Sequence, residues 1–190
     1  MFRSFIGLII SLTFTAAAAG QLKDAKYQPE NSDVAAPDLV VRTATDASPL
    51  KYDAGSARFL LSRRDTGGRY SLVELAELPG YSTPLHIHKD MDEAFYVLDG
   101  TLTADIAGKR YELTAGSSVI IPRGTPHAQG NFGKIPVRLL VTTSPGGFEQ
   151  FFLDRVELFK TMKPENPEFG KRMDAIIEKA NIEVVGPWKP

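Results

Sequence analysis

From Ala57 to Thr143 the chain is a string of short β-like runs cut at close intervals by turn residues. The runs are "ARFLLSRR", "RYSLVELAEL", "PLHIH", "EAFYVLDG", "TLTADIAG", "KRYELTA", "SSVIIP", "HAQGNF" and "VRLLVTT". Between them stand "DTGG" at 65, "LPG" at 78, "DG" at 99, "AG" at 107 and 115, and "PRG" at 122. Many short strand-like runs at this spacing, divided by turn residues, point to antiparallel β-structure. A chain so punctuated is restricted to an all-β antiparallel sandwich or barrel. Asp99-Gly100 between two apolar runs further predicts a two-residue hairpin.

The two ends follow other rules. "MFRSFIGLIISLTFTAAAAG" has one early positive charge, an uncharged stretch from Ser4 to Gly20, and small residues at its end. That is the layout of a secretory signal peptide, so residues 1–20 are expected to be removed and the mature chain exported to the periplasm or beyond the cell. Residues 21–49, with "YQPENSDVAAPD", read as an extended arm with a possible strand at "DLVVRTA". The barrel is assigned to residues 50–145 and a helical extension to residues 146–190. In that extension Phe148, Phe151, Phe152, Val156 and Phe159 keep helical spacing. A second helix is expected to start with Asn166 as N-cap and Pro167 in the first turn, and to carry Met173, Ile176, Ile177 and Ala180 on one face. Both apolar stripes predict packing against the outside of the barrel, with a lid or a dimer contact as their other uses.

Composition narrows the function classes. A net charge of −1 on 190 residues gives no handle for nucleic acid or for an anionic membrane. The absence of cysteine excludes disulfides, thiol nucleophiles and thiolate metal sites together.

Histidine is scarce as well, with three in the whole chain, and two of them stand one residue apart in "PLHIHKDMDEAFYVLDG". Side chains alternate along a strand, so His86 and His88 share a face while Ile87 points away. "KDMD" then turns the chain, and the strand opened by Glu93 can return beside the first. His127 follows "PRGTP", a turn able to feed a neighbouring part of the wall. Three imidazole nitrogens and a carboxylate oxygen can thus surround one point, a donor set that Fe(II), Mn(II), Ni(II), Cu(II) or Zn(II) accepts. Spacing alone leaves open the plainer alternative of hydrogen-bonded core histidines.

The full pattern is more specific. Gly80, His86, His88, Glu93 and Gly100 are separated by five, one, four and six residues; Gly116, Pro122, Gly124, His127 and Asn131 by five, one, two and three. Fifteen residues lie between the two runs. Together they resemble the paired motifs of the cupin superfamily, with every position filled and the short interval of single-domain, type-2 members. The resemblance implies a cupin jelly-roll β-barrel; with the reading of the apolar stripes, the expected fold is all-β with the C-terminal helices packed outside. It also implies that His86, His88, Glu93 and His127 hold one divalent transition metal per chain. The glycines and Pro122 are read as turn formers, and Asn131 as a loop tie.

At a finer level "PLHIHKDMDEAFYVLDGTLT", "GGFEQFF" and "NIEVVGP" look like the quercetin-dioxygenase-like branch. That likeness implies a mononuclear dioxygenase acting on an enolisable aromatic small molecule. The chain departs from familiar members in having room for one cupin domain where they often carry two. Glu93 is the one motif carboxylate able to accept a substrate proton, although a fixed ligand is the plainer role. Phe95 and Val97 share its face and belong either to a pocket or to ordinary core. The alternatives are an isomerase or oxalate-degrading metallo-cupin, for which Arg123 or another cation should face the metal, and a non-catalytic exported binding protein. A homodimer is the expected assembly; neither nucleic acid nor, after signal removal, a membrane is an expected partner.

Overall fold

In the computed structural model the described residues are 39–46, 48–52 and 55–189. The signal segment and residues 21–38 of the arm lie outside them. The strands that build the core alternate buried and open side chains, two of them most regularly. In β3 (Ser71–Glu77) Ser71, Val73, Leu75 and Glu77 are buried, and in β10 (Val137–Ser144) so are Val137, Leu139, Val141 and Thr143. With β1 (Leu50–Tyr52), β2 (Gly55–Leu61), β5 (Asp92–Asp99) and β8 (Ser118–Ile121) they make a six-stranded antiparallel sheet in the order β1-β2-β3-β10-β5-β8.

A second antiparallel sheet has the order β11-β4-β9-β6-β7. Its members are β4 (Leu85–His88), β6 (Thr101–Ile106), β7 (Lys109–Thr114), β9 (His127–Gly130) and β11 (Ile182–Gly186). The inner faces of the sheets supply the core, in which Phe95, Val97, Leu102, Ile121 and Leu139 are sealed from solvent. This is the jelly-roll arrangement expected from the sequence. Phe95 and Val97 accordingly take the core role.

Two local expectations are corrected. Asp99-Gly100 is not a hairpin, because β5 and β6 belong to different sheets and the dipeptide carries the chain round the corner between them. Gly100 has φ +80, and a Cβ there would lie 3.1 Å from the Pro136 carbonyl oxygen, so the corner demands glycine twice over. The tight hairpin is Ala107-Gly108, both at positive φ, which joins β6 to β7 in register Ile106↔Lys109. The strand considered at "DLVVRTA" does not form among the described residues, where Leu39 and Val41 are largely exposed.

After β10 the chain enters α1 (Glu149–Thr161) and α2 (Phe169–Lys179). Glu149 fixes the start of α1: its carboxylate accepts the Arg63 N–H at 2.7 Å and the Ser71 hydroxyl at 2.5 Å. Asn166 caps a turn rather than the helix proper. Its Oδ1 accepts the Glu168 N–H at 2.9 Å, and regular helix begins three residues later. The extension also ends in strand: Asn181, at φ +53, stops α2, and β11 then pairs with β4. No helix among the described residues is long and apolar enough to cross a membrane.

Candidate metal centre

The register of the second sheet builds the site. His86 is paired directly with His127 across β4 and β9, and His88 shares the face of His86. Ring centroids are 4.2 Å apart for His86 and His127, and 5.1 Å for His86 and His88. One nitrogen from each of the three imidazoles falls within 4.8 Å of the others. Glu93 completes the group from the opposite sheet, its Oε2 lying 3.1 Å from His127 Nε2 and 3.5 Å from His88 Nε2. β5 therefore does not return beside β4, as the sequence suggested; β4 lies between β11 and β9, and β5 between β10 and β8. The four side chains meet across the sandwich, and all four are buried.

Two of the rings are oriented by backbone carbonyls. The Nδ1 atoms of His86 and His127 each lie 2.9 Å from an acceptor, Pro84 O and Thr125 O respectively, which directs both Nε2 atoms inward. Burial, helped by the neighbouring His127 and His88, lowers the His86 imidazole to about 4, so it is neutral at pH 7 with a free lone pair. Burial pushes the Glu93 carboxyl up, but the hydrogen bonds and charges of His127 and His88 outweigh it and hold the carboxyl below the usual range. His127 responds in the opposite sense: burial lowers it, while the Glu93 carboxylate more than compensates and raises it. Three imidazole nitrogens and one ionised oxygen, buried and converging, suit a divalent transition ion.

A cavity of about 290 Å³ opens onto this group. His86, His88 and Glu93 line one end, and Tyr81, Phe148, Phe151 and Phe152 supply aromatic wall. Met173 and Ile177 of α2 and Ile182 and Val184 of β11 line it too. The helical extension thus lies outside the sheets and at the same time encloses the cavity. β11 reaches it through register, since Ile182 pairs with His88 and Val184 with His86. Gln129 and Thr83 add polar groups to the lining.

Sequence reasoning overlooked Glu77. It occupies a buried position of β3 in phase with Val73 and Leu75, and a carboxylate in step with an apolar face was the available signal. Among the described residues neither carboxyl oxygen has a well-formed hydrogen bond. Burial, and then the charge of Glu93, push this acid up to about 8, an effect only partly offset by the Gln129 amide. Asn131 is a loop tie as expected, donating to the carbonyls of Glu77 and Ile135 and accepting the Gly133 N–H. Arg123 does not face the centre. It grips Asp92 at the surface, with Nε 3.0 Å and Nη2 3.1 Å from the carboxylate.

Residues 74–143 match the family model described as a cupin domain. This stretch is a cupin domain. Beyond these motifs, the chain is 42% identical over 72 residues to quercetin 2,3-dioxygenase of Bacillus subtilis, a match covering 38% of this chain and 21% of that protein. It is 27% identical over 122 residues to the tetracenomycin polyketide synthase protein TcmJ of Streptomyces glaucescens, covering 64% of this chain and 80% of the relative. The chain thus spans about a fifth of the length of the dioxygenase. Among solved structures, a predicted oxalate decarboxylase of Thermotoga maritima aligns with TM-score 0.51 at 23% identity, over 56% of this chain and 99% of the other, and supports the jelly-roll fold.

Proposed function

We propose that this cupin is a metal-dependent enzyme, a mononuclear dioxygenase that acts on an enolisable aromatic small molecule. The observation that carries the reading is the cavity, which joins a three-histidine, one-carboxylate centre to walls of Tyr81, Phe148, Phe151 and Phe152. At about 290 Å³ it suits a compact, flat ligand. His86, His88, His127 and Glu93 would hold the ion. When bound, such an ion supplies Lewis acidity and a site for substrate oxygen.

The chain's own groups define the rest. The aromatic wall excludes water from the reacting end and places a planar ligand against the histidines. Gln129 and Thr83 offer hydrogen bonds to its polar edge. Glu93 is the carboxylate that lines the cavity, and in this reading it accepts the substrate proton.

Oxygen-electrode assays with flavonols and other enolisable aromatics test the reading on protein loaded in turn with Fe(II), Mn(II), Ni(II), Cu(II) and Zn(II). Uptake that depends on substrate and metal, and disappears in His86→Ala/His127→Ala, is the expected result. Absence of uptake with every ion overturns the dioxygenase reading. A second reading, a metallo-cupin acting on an acidic small molecule, gains from Arg155, a cation that lines the same cavity. It predicts turnover without oxygen consumption. Export after removal of residues 1–20 and assembly as a homodimer belong to the same proposal. They rest on the leader-like first segment and on the resemblance to single-domain cupins. N-terminal sequencing of the secreted protein and light scattering test them.

A further inference from the structure

The three histidines are not held alike. His86 and His127 each have a carbonyl on Nδ1, whereas among the described residues no hydrogen-bonding partner reaches Nδ1 of His88, and its Nε2 has only the long contact to Glu93. Its Nε2 faces Glu93 at 3.5 Å, which leaves Nδ1 as the atom turned away from the centre. Both nitrogens are buried. A metal-binding imidazole is ordinarily fixed through its second nitrogen, because a ring free to turn about χ2 loses affinity for the ion.

Besides the imidazoles of His86 and His127, an aromatic ring packs on His88. Phe148 stands edge-to-face against it, with centroids 5.2 Å apart and planes at 84°. Phe148 is itself held tightly: it stacks on Phe151 at 5.3 Å and 3°, and meets Phe152 at 5.4 Å. Its backbone is pinned from behind. The Gly147 N–H donates to Ser71 Oγ at 2.9 Å, and Arg63 donates to the Gly146 carbonyl at 3.1 Å. Gly146 is required there, because a Cβ would lie 2.6 Å from the Tyr70 carbonyl oxygen.

We propose that Phe148 is a positioning residue for the metal centre: its ring, packed edge-to-face on His88, sets the orientation that the other two histidines obtain from carbonyl hydrogen bonds. The inference rests on the reading of His88 as a ligand. It places part of the centre's support beyond residues 74–143, in the segment that leads into α1. An edge-to-face contact of this kind restricts tilt of the imidazole without competing for its nitrogens.

The test compares full-length wild type, Phe148→Ala, Phe148→Leu and Val156→Ala. Val156 is buried on α1, the helix that follows Phe148, and does not line the cavity, so it reports on loosening of α1 alone. Zinc affinity is measured by chelator competition, and the Cu(II) form is examined by electron paramagnetic resonance. Phe148→Ala should weaken zinc binding by about ten-fold or more and alter the nitrogen hyperfine pattern of Cu(II). Phe148→Leu should recover only part of the loss, and Val156→Ala should bind as wild type does. Equal affinity and spectra in wild type and Phe148→Ala overturn the proposal while leaving the metal reading intact. Equal losses in Val156→Ala overturn it as well, since helix packing alone would then explain the effect. Failure of wild type to bind zinc or copper overturns the metal reading first, and this inference with it.

Discussion

His127 Nε2 and Glu93 Oε2 meet at 3.1 Å although they belong to opposite sheets of the sandwich. The carboxylate is the one negative group among three imidazoles, and it ties the two layers together at their buried seam. Glu93→Gln keeps shape and removes the charge. Zinc affinity measured by chelator competition should fall by about ten-fold or more, with the far-ultraviolet circular dichroism unchanged. Affinity within two-fold of wild type would remove Glu93 from the ligand set.

Glu77 gives a pH dependence of stability. Its carboxyl sits near 4.5 when unfolded and is pushed up to about 8 in the fold. Between these values the folded chain holds a proton that the unfolded chain has lost, so stability falls as pH rises from 4.5 to 8 and levels off beyond. The cost is on the order of a few kcal/mol at the upper end. In metal-free protein Glu77→Gln should therefore raise the urea midpoint clearly at pH 8 and hardly at pH 5. An equal gain at both pH values would contradict the assigned ionisation.

Gly100 marks the corner between sheets. At φ +80, with Pro136 O and Val137 Cγ2 both 3.1 Å from a would-be Cβ, Gly100→Ala meets strain and crowding together. A loss of about 1–3 kcal/mol is expected from urea unfolding. Gly108→Ala, also at positive φ but with open space at its Cβ, should cost less.

β11 closes the outer edge of β4. A chain ending at Asn181 leaves the backbone of the His86–His88 strand unpaired on one side and strips Ile182 and Val184 from the cavity. Reduced zinc loading, measured by plasma emission, and faster amide exchange across Leu85–His88 are the expected results. Retained loading with protected β4 amides would show that the strand is dispensable.

Strand positions were legible because burial forces a period of two, as in Glu93, Phe95 and Val97. Sheet membership was not. Alternation gives the face of a residue but not the neighbour of its strand, so Glu93 was placed beside the histidines rather than across from them. The same gap turned Asp99-Gly100 into a hairpin. β11 escaped notice because its own pattern, with Glu183, Val184 and Val185 exposed in succession, lacks alternation. Its strand character comes from pairing with β4. The phenylalanines of α1 were legible as an apolar stripe, but their place against a cavity depends on the Glu149 anchor, which joins residues 78 and 86 positions apart.

Because the donors come from both layers, a cation gripped by them would act as a rivet through the sandwich. Prying the sheets apart would then mean releasing the ion, so thermal resilience should track free metal concentration, and a strong chelator should soften the whole molecule instead of only its pocket.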